Sequence, residues 1–179
     1  ADFFFALIMS HHHYDTEGFV LGHLDIKESS RLLYILTEDF GLVLALAQGA
    51  REPRSKMRAN LQDFSLLRVG LGRGKEFWRL TSTVEFSWFS KILVDAKARL
   101  AVARIFSLLR RLVQGEIKDQ ELFLIIKNSF LTPTRSANYE LTIISQILAH
   151  LGYLRKTDLK LNQPELLQAV NQALASSQL

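Results

Sequence analysis

The chain has 179 residues, of which 48% are apolar and 22% charged, a balance that excludes disordered and fibrous polypeptides and suffices for one large domain or two small ones sharing a core. It contains no cysteine, which excludes disulfides, thiolate zinc sites, iron–sulfur clusters and cysteine nucleophiles and is compatible with a reducing cytoplasm. The net charge of +4 points mildly toward a polyanionic partner, and its distribution is uneven. Arg51, Arg54, Lys56, Arg58, Arg68, Arg73, Lys75 and Arg79 crowd residues 41–80 against Glu52, Asp63 and Glu76, whereas residues 1–40 are acidic; the stretch Lys91 to Arg111 is basic again, with Asp95 its one carboxylate.

The first apolar run, Phe3 to Met9, falls far short of the roughly 20 residues that span a bilayer. It lacks a basic leader and a small-residue cleavage site, so it does not read as a secretory signal. Residues 1–13 form an amino-terminal extension, with Met9 an equally good natural start. His11, His12 and His13 invite a metal reading, but three successive imidazoles on a strand cannot all face one ion, and no metal is assigned.

From Tyr14 to Phe86 short strands alternate with turns. Tyr14–Leu21 and Arg31–Thr37 are rich in aromatic and β-branched residues and are separated by Gly22 and the polar stretch Asp25 to Ser30. Gly41 opens a third strand, Leu42–Ala47, apolar enough to be buried on both faces. Phe64–Leu71 and Phe77–Glu85 follow. In the last, Trp78, Leu80 and Val84 share one side and Phe77, Arg79, Thr81 and Thr83 the other, with Gly70, Gly72, Arg73, Gly74 and Lys75 making the intervening hairpin tip. Five short strands are the complement of a small closed barrel, which removes exposed edges.

Beyond Phe86 the apolar period becomes helical. Ala98, Val102, Ile105, Leu109 and Leu112 predict a helix over 90–114, ended by Gly115. Asp119 is an N-cap for a helix burying Leu122, Phe123, Ile126 and Phe130. After Pro133, Ala137, Leu141, Ile144, Leu148 and Leu151 mark another, closed by Gly152. Asn162 and Glu165 resemble a capping box before Leu166, Val170 and Leu174. Strands followed by helices predict an α+β chain: a five-stranded barrel over 14–88, then an all-helical domain over 89–179.

No catalytic constellation is present in the sequence, and the chain reads as a non-enzyme. No serine has the flanking glycines of a nucleophile elbow, and there is no HExxH helix. The segment Gly49 to Lys56 departs from a phosphate loop at Arg54, and glycines 70, 72 and 74 lead into a strand instead of a helix. Asp15 with Glu17 and Glu38 with Asp39 read as solvated strand-edge and turn carboxylates, and His23 and His150 as isolated structural or surface groups.

The most informative segment is QGAREPRSKMR, Gln48 to Arg58, a polar loop carrying four cations. On a barrel rim such a loop lays guanidinium and ammonium groups along a sugar–phosphate chain, each neutralised phosphate releasing counterions. Arginine suits bidentate phosphate contact and Ser55 adds a donor. The plain alternative is a solvated loop that keeps the protein soluble.

The residues around this loop resemble a known family. The opening TEG-x-VL at Thr16–Leu21, the ES-x-RLL-x-x-LTE-x-x-G frame over Glu28–Gly41, A-x-GAR-x-x-RS over Ala47–Ser55, the following LQ-x-FSLL, and YELTIISQILAHLGY at Tyr139–Tyr153 are similar to those of the RecO family of recombination mediators. The resemblance implies an amino-terminal OB-fold. It further implies a non-catalytic, cytoplasmic, nucleoid-associated protein of recombination repair that binds single- and double-stranded DNA and anneals complementary strands. Its expected partners are RecR, the single-stranded DNA-binding protein SSB and, indirectly, RecA, with no membrane and no cofactor. Carried over by motif position, the expected DNA contacts are Arg51, Arg54, Ser55, Lys56 and Arg58, while Arg73, Lys75 and Arg79 follow from charge and placement.

Two departures stand out. The chain is shorter than most relatives, and after Tyr153, where many members carry a four-cysteine zinc module, it reads LRKTDLKLNQPE with no ligand, so zinc is not expected. A shortened helical half also puts the SSB-tail contact in question. Lys97, Arg104 and Arg111 on one flank of the long helix, with Arg99 and Arg110 on the other, are secondary DNA or partner-tail contacts or solvated cations bordering a buried stripe. Phe77 beside Arg79 is either a base-stacking platform or core. An RNA-binding OB protein and a non-catalytic protein adaptor stand as the alternative functions.

Overall fold

The structure is a computed structural model that describes residues 12–26, 28–55, 57, 61–132 and 138–177. Five strands, β1 (His13–Ile26), β2 (Ser30–Thr37), β3 (Gly41–Ala47), β4 (Leu66–Gly72) and β5 (Trp78–Glu85), close into a barrel in the order β1-β2-β3-β5-β4. This is the predicted OB-fold, followed by helices. All pairings are antiparallel except β3 with β5, a short parallel seam of Ala45 beside Trp78 and Leu46 beside Arg79.

The first strand outruns its sequence prediction by five residues, because Gly22 does not end it. A bulge between Val20 and Gly22 bends the strand, so its first half pairs with β4 and its second with β2. Gly22 has φ +150, a backbone conformation that selects glycine, while the nearest neighbour of a Cβ built there is the movable guanidinium end of Arg110. A second irregularity, between Gly70 and Leu71 opposite β5, inverts the expected alternation: Trp78 and Leu80 point inward, but Val84 is exposed. The fourth strand begins at Leu66, two residues after the sequence expectation, because Phe64 takes φ 66 in the preceding turn.

The predicted 90–114 helix is two helices, α1 (Ser87–Ile92) and α2 (Ala96–Leu112). They are separated at Asp95, whose side chain accepts from Ala98 N and caps the second. Next come α3 (Gln120–Leu131), α4 (Tyr139–His150), a 3-10 turn at Lys156–Lys160 and α5 (Gln163–Ser176). Asp119 and Asn162 cap α3 and α5 as expected, accepting from Leu122 N at 2.9 Å and Glu165 N at 3.1 Å. The buried side of α4 is Ile143, Ile147 and Leu148, turned from the predicted stripe so that Leu141 and Ile144 are half-buried; Ala137 lies outside the described residues.

Two cores result. Val20, Leu33, Ile35, Val43, Val69, Leu71 and Trp78 fill the barrel. The barrel's outer face supplies Phe19, Leu21, Leu36 and Leu66 to a larger core with Phe89, Phe106, Phe123 and Phe130. The Phe19 ring is 5.2 to 6.2 Å from all four of those helical rings, so barrel and helices share one aromatic cluster.

Candidate nucleic-acid interface

The basic loop leaves β3 at Gln48 and is fixed from within. Ala50 and Leu61 are buried in the barrel core and Met57 packs against it, three apolar pins that the cation pattern had obscured. Backbone turns from Glu52 N to Gly49 O and from Ser55 N to Glu52 O, each 3.0 Å, fold the stretch between them. With the pins directed inward, Arg51 and Arg54 are exposed and Ser55 is half-buried. Lys56 and Arg58 lie outside the described residues. The Arg51 amide donates to Ser29 O, and its guanidinium is 3.8 Å from Asp25 Oδ2, a carboxylate that also accepts from Arg31 Nε at 3.0 Å. The loop is therefore anchored beside the β1–β2 turn, with Asp25 tempering its local positive charge.

The β4–β5 hairpin divides its cations. Arg73 is turned onto the barrel wall, where its guanidinium lies 3.8 Å above the Trp78 ring and pairs with Glu116 at 2.7 Å; Glu116 accepts also from Trp78 Nε1. The partner that occupies Arg73 thus comes from the segment between α2 and α3, too distant in sequence for local reasoning to find. Lys75 is exposed in the turn and Arg79 is exposed at the start of β5. Phe77 is half-buried.

Loop and hairpin meet at the parallel seam. Because Leu46 pairs with Arg79, the base of the loop at Gln48 and the base of the hairpin at Gly72 and Arg79 border one cavity of about 420 Å³. His12, His13 and Thr81 also line it. These three were not among the expected contacts; the adjacency of the β1 start to the end of β4 brings the histidines there.

The second basic region is partly committed to structure. Arg104 makes a two-pronged contact with Glu140, at 2.5 and 2.6 Å, which raises its pKa further, and the Arg110 guanidinium stacks 4.1 Å from the Tyr34 ring centroid. Lys97, Arg99 and Arg111 are exposed. Several carboxylates and histidines read as solvated or isolated have specific side-chain partners. Glu17, with a side chain only 14% exposed, pairs with Lys127 of α3 and lies 3.6 Å from Arg68. Asp39 binds Lys118 and Thr16. His23 contacts Asp63 at 2.6 Å and His150 contacts Asp119 at 2.8 Å.

Among the described residues no group of three or more histidine or acidic side chains is arranged to hold a metal ion, and no helix is long and apolar enough to cross a membrane.

Comparison with known proteins agrees with the barrel topology. Residues 9–86 match the family described as "Recombination protein O N terminal". The chain is 30% identical over 155 residues to the DNA repair protein RecO of Myxococcus xanthus (strain DK1622), covering 81% of this chain and 61% of that protein. It is 27% identical over 144 residues to the RecO of Clostridium novyi (strain NT), covering 78% and 56%. A third relative, the RecO of Thermobifida fusca (strain YX), is 35% identical over 81 residues, 45% of this chain and 33% of that protein. The chain thus spans a little over half the length of the first two relatives. Within the closed five-stranded OB barrel, residues 9–86 match the RecO amino-terminal domain family, and the chain as a whole is similar in sequence to the RecO proteins of both organisms.

Proposed function

We propose that the chain binds single- and double-stranded DNA through its barrel and acts, without catalysing a reaction, as a mediator of recombination repair. In this reading it anneals complementary strands and helps RecA load on SSB-coated single strands in the cytoplasm. Residues 14–88 are the nucleic-acid-binding unit, and residues 89–179 carry contacts to protein partners, RecR and SSB. The observation that carries the reading is the parallel seam, where pairing of Leu46 with Arg79 sets the base of the Arg51–Arg54–Ser55 loop against the base of the Lys75 hairpin. Two separate cation-bearing segments then border one surface, as a continuous polyanion requires. Arg73 has a smaller share in this interface than its charge suggested, because Glu116 neutralises it. On the helical half, a cavity of about 570 Å³ between α3 and α4, with Lys156 and His150 in its lining, supports a docking place for a partner tail.

The test is the salt dependence of oligonucleotide binding. Replacing Arg51, Arg54 and Lys56 together by Ala should weaken binding nearly independently of sequence. It should flatten the slope of log K against log salt by about 2 to 3, from roughly 0.7 to 0.9 per lost phosphate contact. An unchanged slope moves the DNA track elsewhere. Faster pairing of SSB-coated complementary strands separates a mediator from an adaptor, and competition by RNA separates DNA from RNA specificity.

A further inference from the structure

The geometry points to a nucleotide-phosphate subsite in the cavity at the β3–β5 seam, formed by Arg79, His12, His13, Gln48 and Thr81 over an apolar floor. The proposal rests on the DNA reading for its biological context and adds to it a seat for one nucleotide.

Four strands and a loop contribute. β1 brings His13 and the residue before it, His12, β3 Leu46, the loop Gln48, β4 Gly72, and β5 Arg79, Leu80 and Thr81. The His13 ring lies against Gly70, where a Cβ would approach its Nε2 to 2.8 Å, and its Nδ1 is 3.3 Å from Thr81 Oγ1. That contact orients one imidazole at the rim. The His12 ring rests 6.3 Å from the Tyr14 ring centroid. Gly72 is buried, yet a Cβ built on it would meet only Thr81 Cγ2, at 4.0 Å. The missing side chain therefore leaves room in the cavity.

The chemistry of the lining fits a phosphate ester. A guanidinium grips phosphate oxygens through paired N–H donors at any physiological pH. Gln48 and Thr81 add neutral donors, and Leu46 and Leu80 offer an apolar wall to sugar or base. The volume of about 420 Å³ lies within the usual range for small-ligand sites. Among the described residues, Asp15 of β1 lies 3.8 Å from His13 Nε2, and Arg79 of β5 lines the cavity.

Thymidine 5′-monophosphate, titrated into the full chain and followed by amide and imidazole NMR signals, tests the subsite directly. The amides of Gly72 and Thr81 and the His13 ring should shift in the wild type. The shifts should be lost in His12→Gln/His13→Gln and in Gly72→Val, which fills the cavity without removing any polar group. The double histidine variant keeps the test valid should Gly72→Val not fold. Absent shifts, or shifts that persist unchanged in the histidine variant, overturn the subsite.

Anisotropy of an oligothymidylate then distinguishes a strand from a free nucleotide. Oligothymidylate affinity should fall roughly three- to tenfold in His12→Gln/His13→Gln and in Gly72→Val. An oligothymidylate affinity unchanged by the histidine variant, although that variant has lost the mononucleotide shifts, assigns the site to free nucleotides. A wild type that binds the mononucleotide but no oligonucleotide overturns the DNA reading and leaves the subsite standing.

Discussion

Asp39 illustrates how much a single side chain can hold. Its Oδ2 accepts from Thr16 Oγ1 at 2.8 Å and its Oδ1 from Lys118 Nζ at 2.9 Å, and these bonds, led by Lys118, keep its carboxyl below the usual carboxylate range. A pKa lowered in the folded state contributes stability that is present above the unfolded value and lost as pH falls through the folded one. Asp39→Asn should therefore make the stability curve flatter below about pH 4, with a cost at neutral pH under about 1 kcal/mol because the pair is well solvated; urea midpoints at the two pH values check this. The sequence displayed the carboxylate but not its partners, since Lys118 is 79 positions away. The same holds for Glu17 with Lys127 and Arg73 with Glu116. The cations of the basic loop were legible because their meaning is local, whereas neutralisation by a distant acid is a property of the folded chain.

At the scale of elements, caps were the most readable feature and breaks within a continuous stripe the least. Asp119 was visible as a cap because side-chain acceptance from Leu122 N is set within three residues. The interruption before α2 was hidden, since Phe89 and Ile92 also bury their side chains and the apolar count runs on. Asp119 also binds His150 at the end of α4, tying the start of one helix to the finish of another. Asp119→Ala should cost about 1 to 3 kcal/mol, more than a cap alone, because it also removes the nearer of the two carboxylates beside the largely buried His150 imidazole. Chemical denaturation followed by far-ultraviolet circular dichroism measures the loss. The bulges in β1 and opposite β5 escaped for a related reason: alternation predicts phase within a strand but not where the phase slips.

For the whole molecule, the decisive residue is Phe19, fully buried outside the barrel against four helical phenylalanines. Alternation assigns one face of β1 to a core. It does not reveal that the opposite face is also covered, and the consecutive burial of Phe19, Val20 and Leu21 is explained only when barrel and helices are placed together. Phe19→Ala should lower stability by about 3 to 5 kcal/mol. Because that ring joins the two halves, fluorescence of Trp78 in the barrel, read in a Trp88→Phe background, and helical circular dichroism should shift to the same lower midpoint; separate midpoints would show that the halves unfold independently.

The crossing between α2 and α3 has a consequence for behaviour at high concentration. The third strand pairs with its parallel neighbour only through Ala45 and Leu46, and further back along it the Leu42 amide is taken by the Gly115 carbonyl at 3.1 Å. The Ile117 peptide sits so close over Gly41 that a β-carbon there would fall 2.3 Å from its oxygen. Peeling this stretch away would uncover an unsatisfied ladder of main-chain donors and acceptors, the kind of template on which copies add to one another. A few residues of connecting chain thus cover part of a strand edge that would otherwise be open to strand addition.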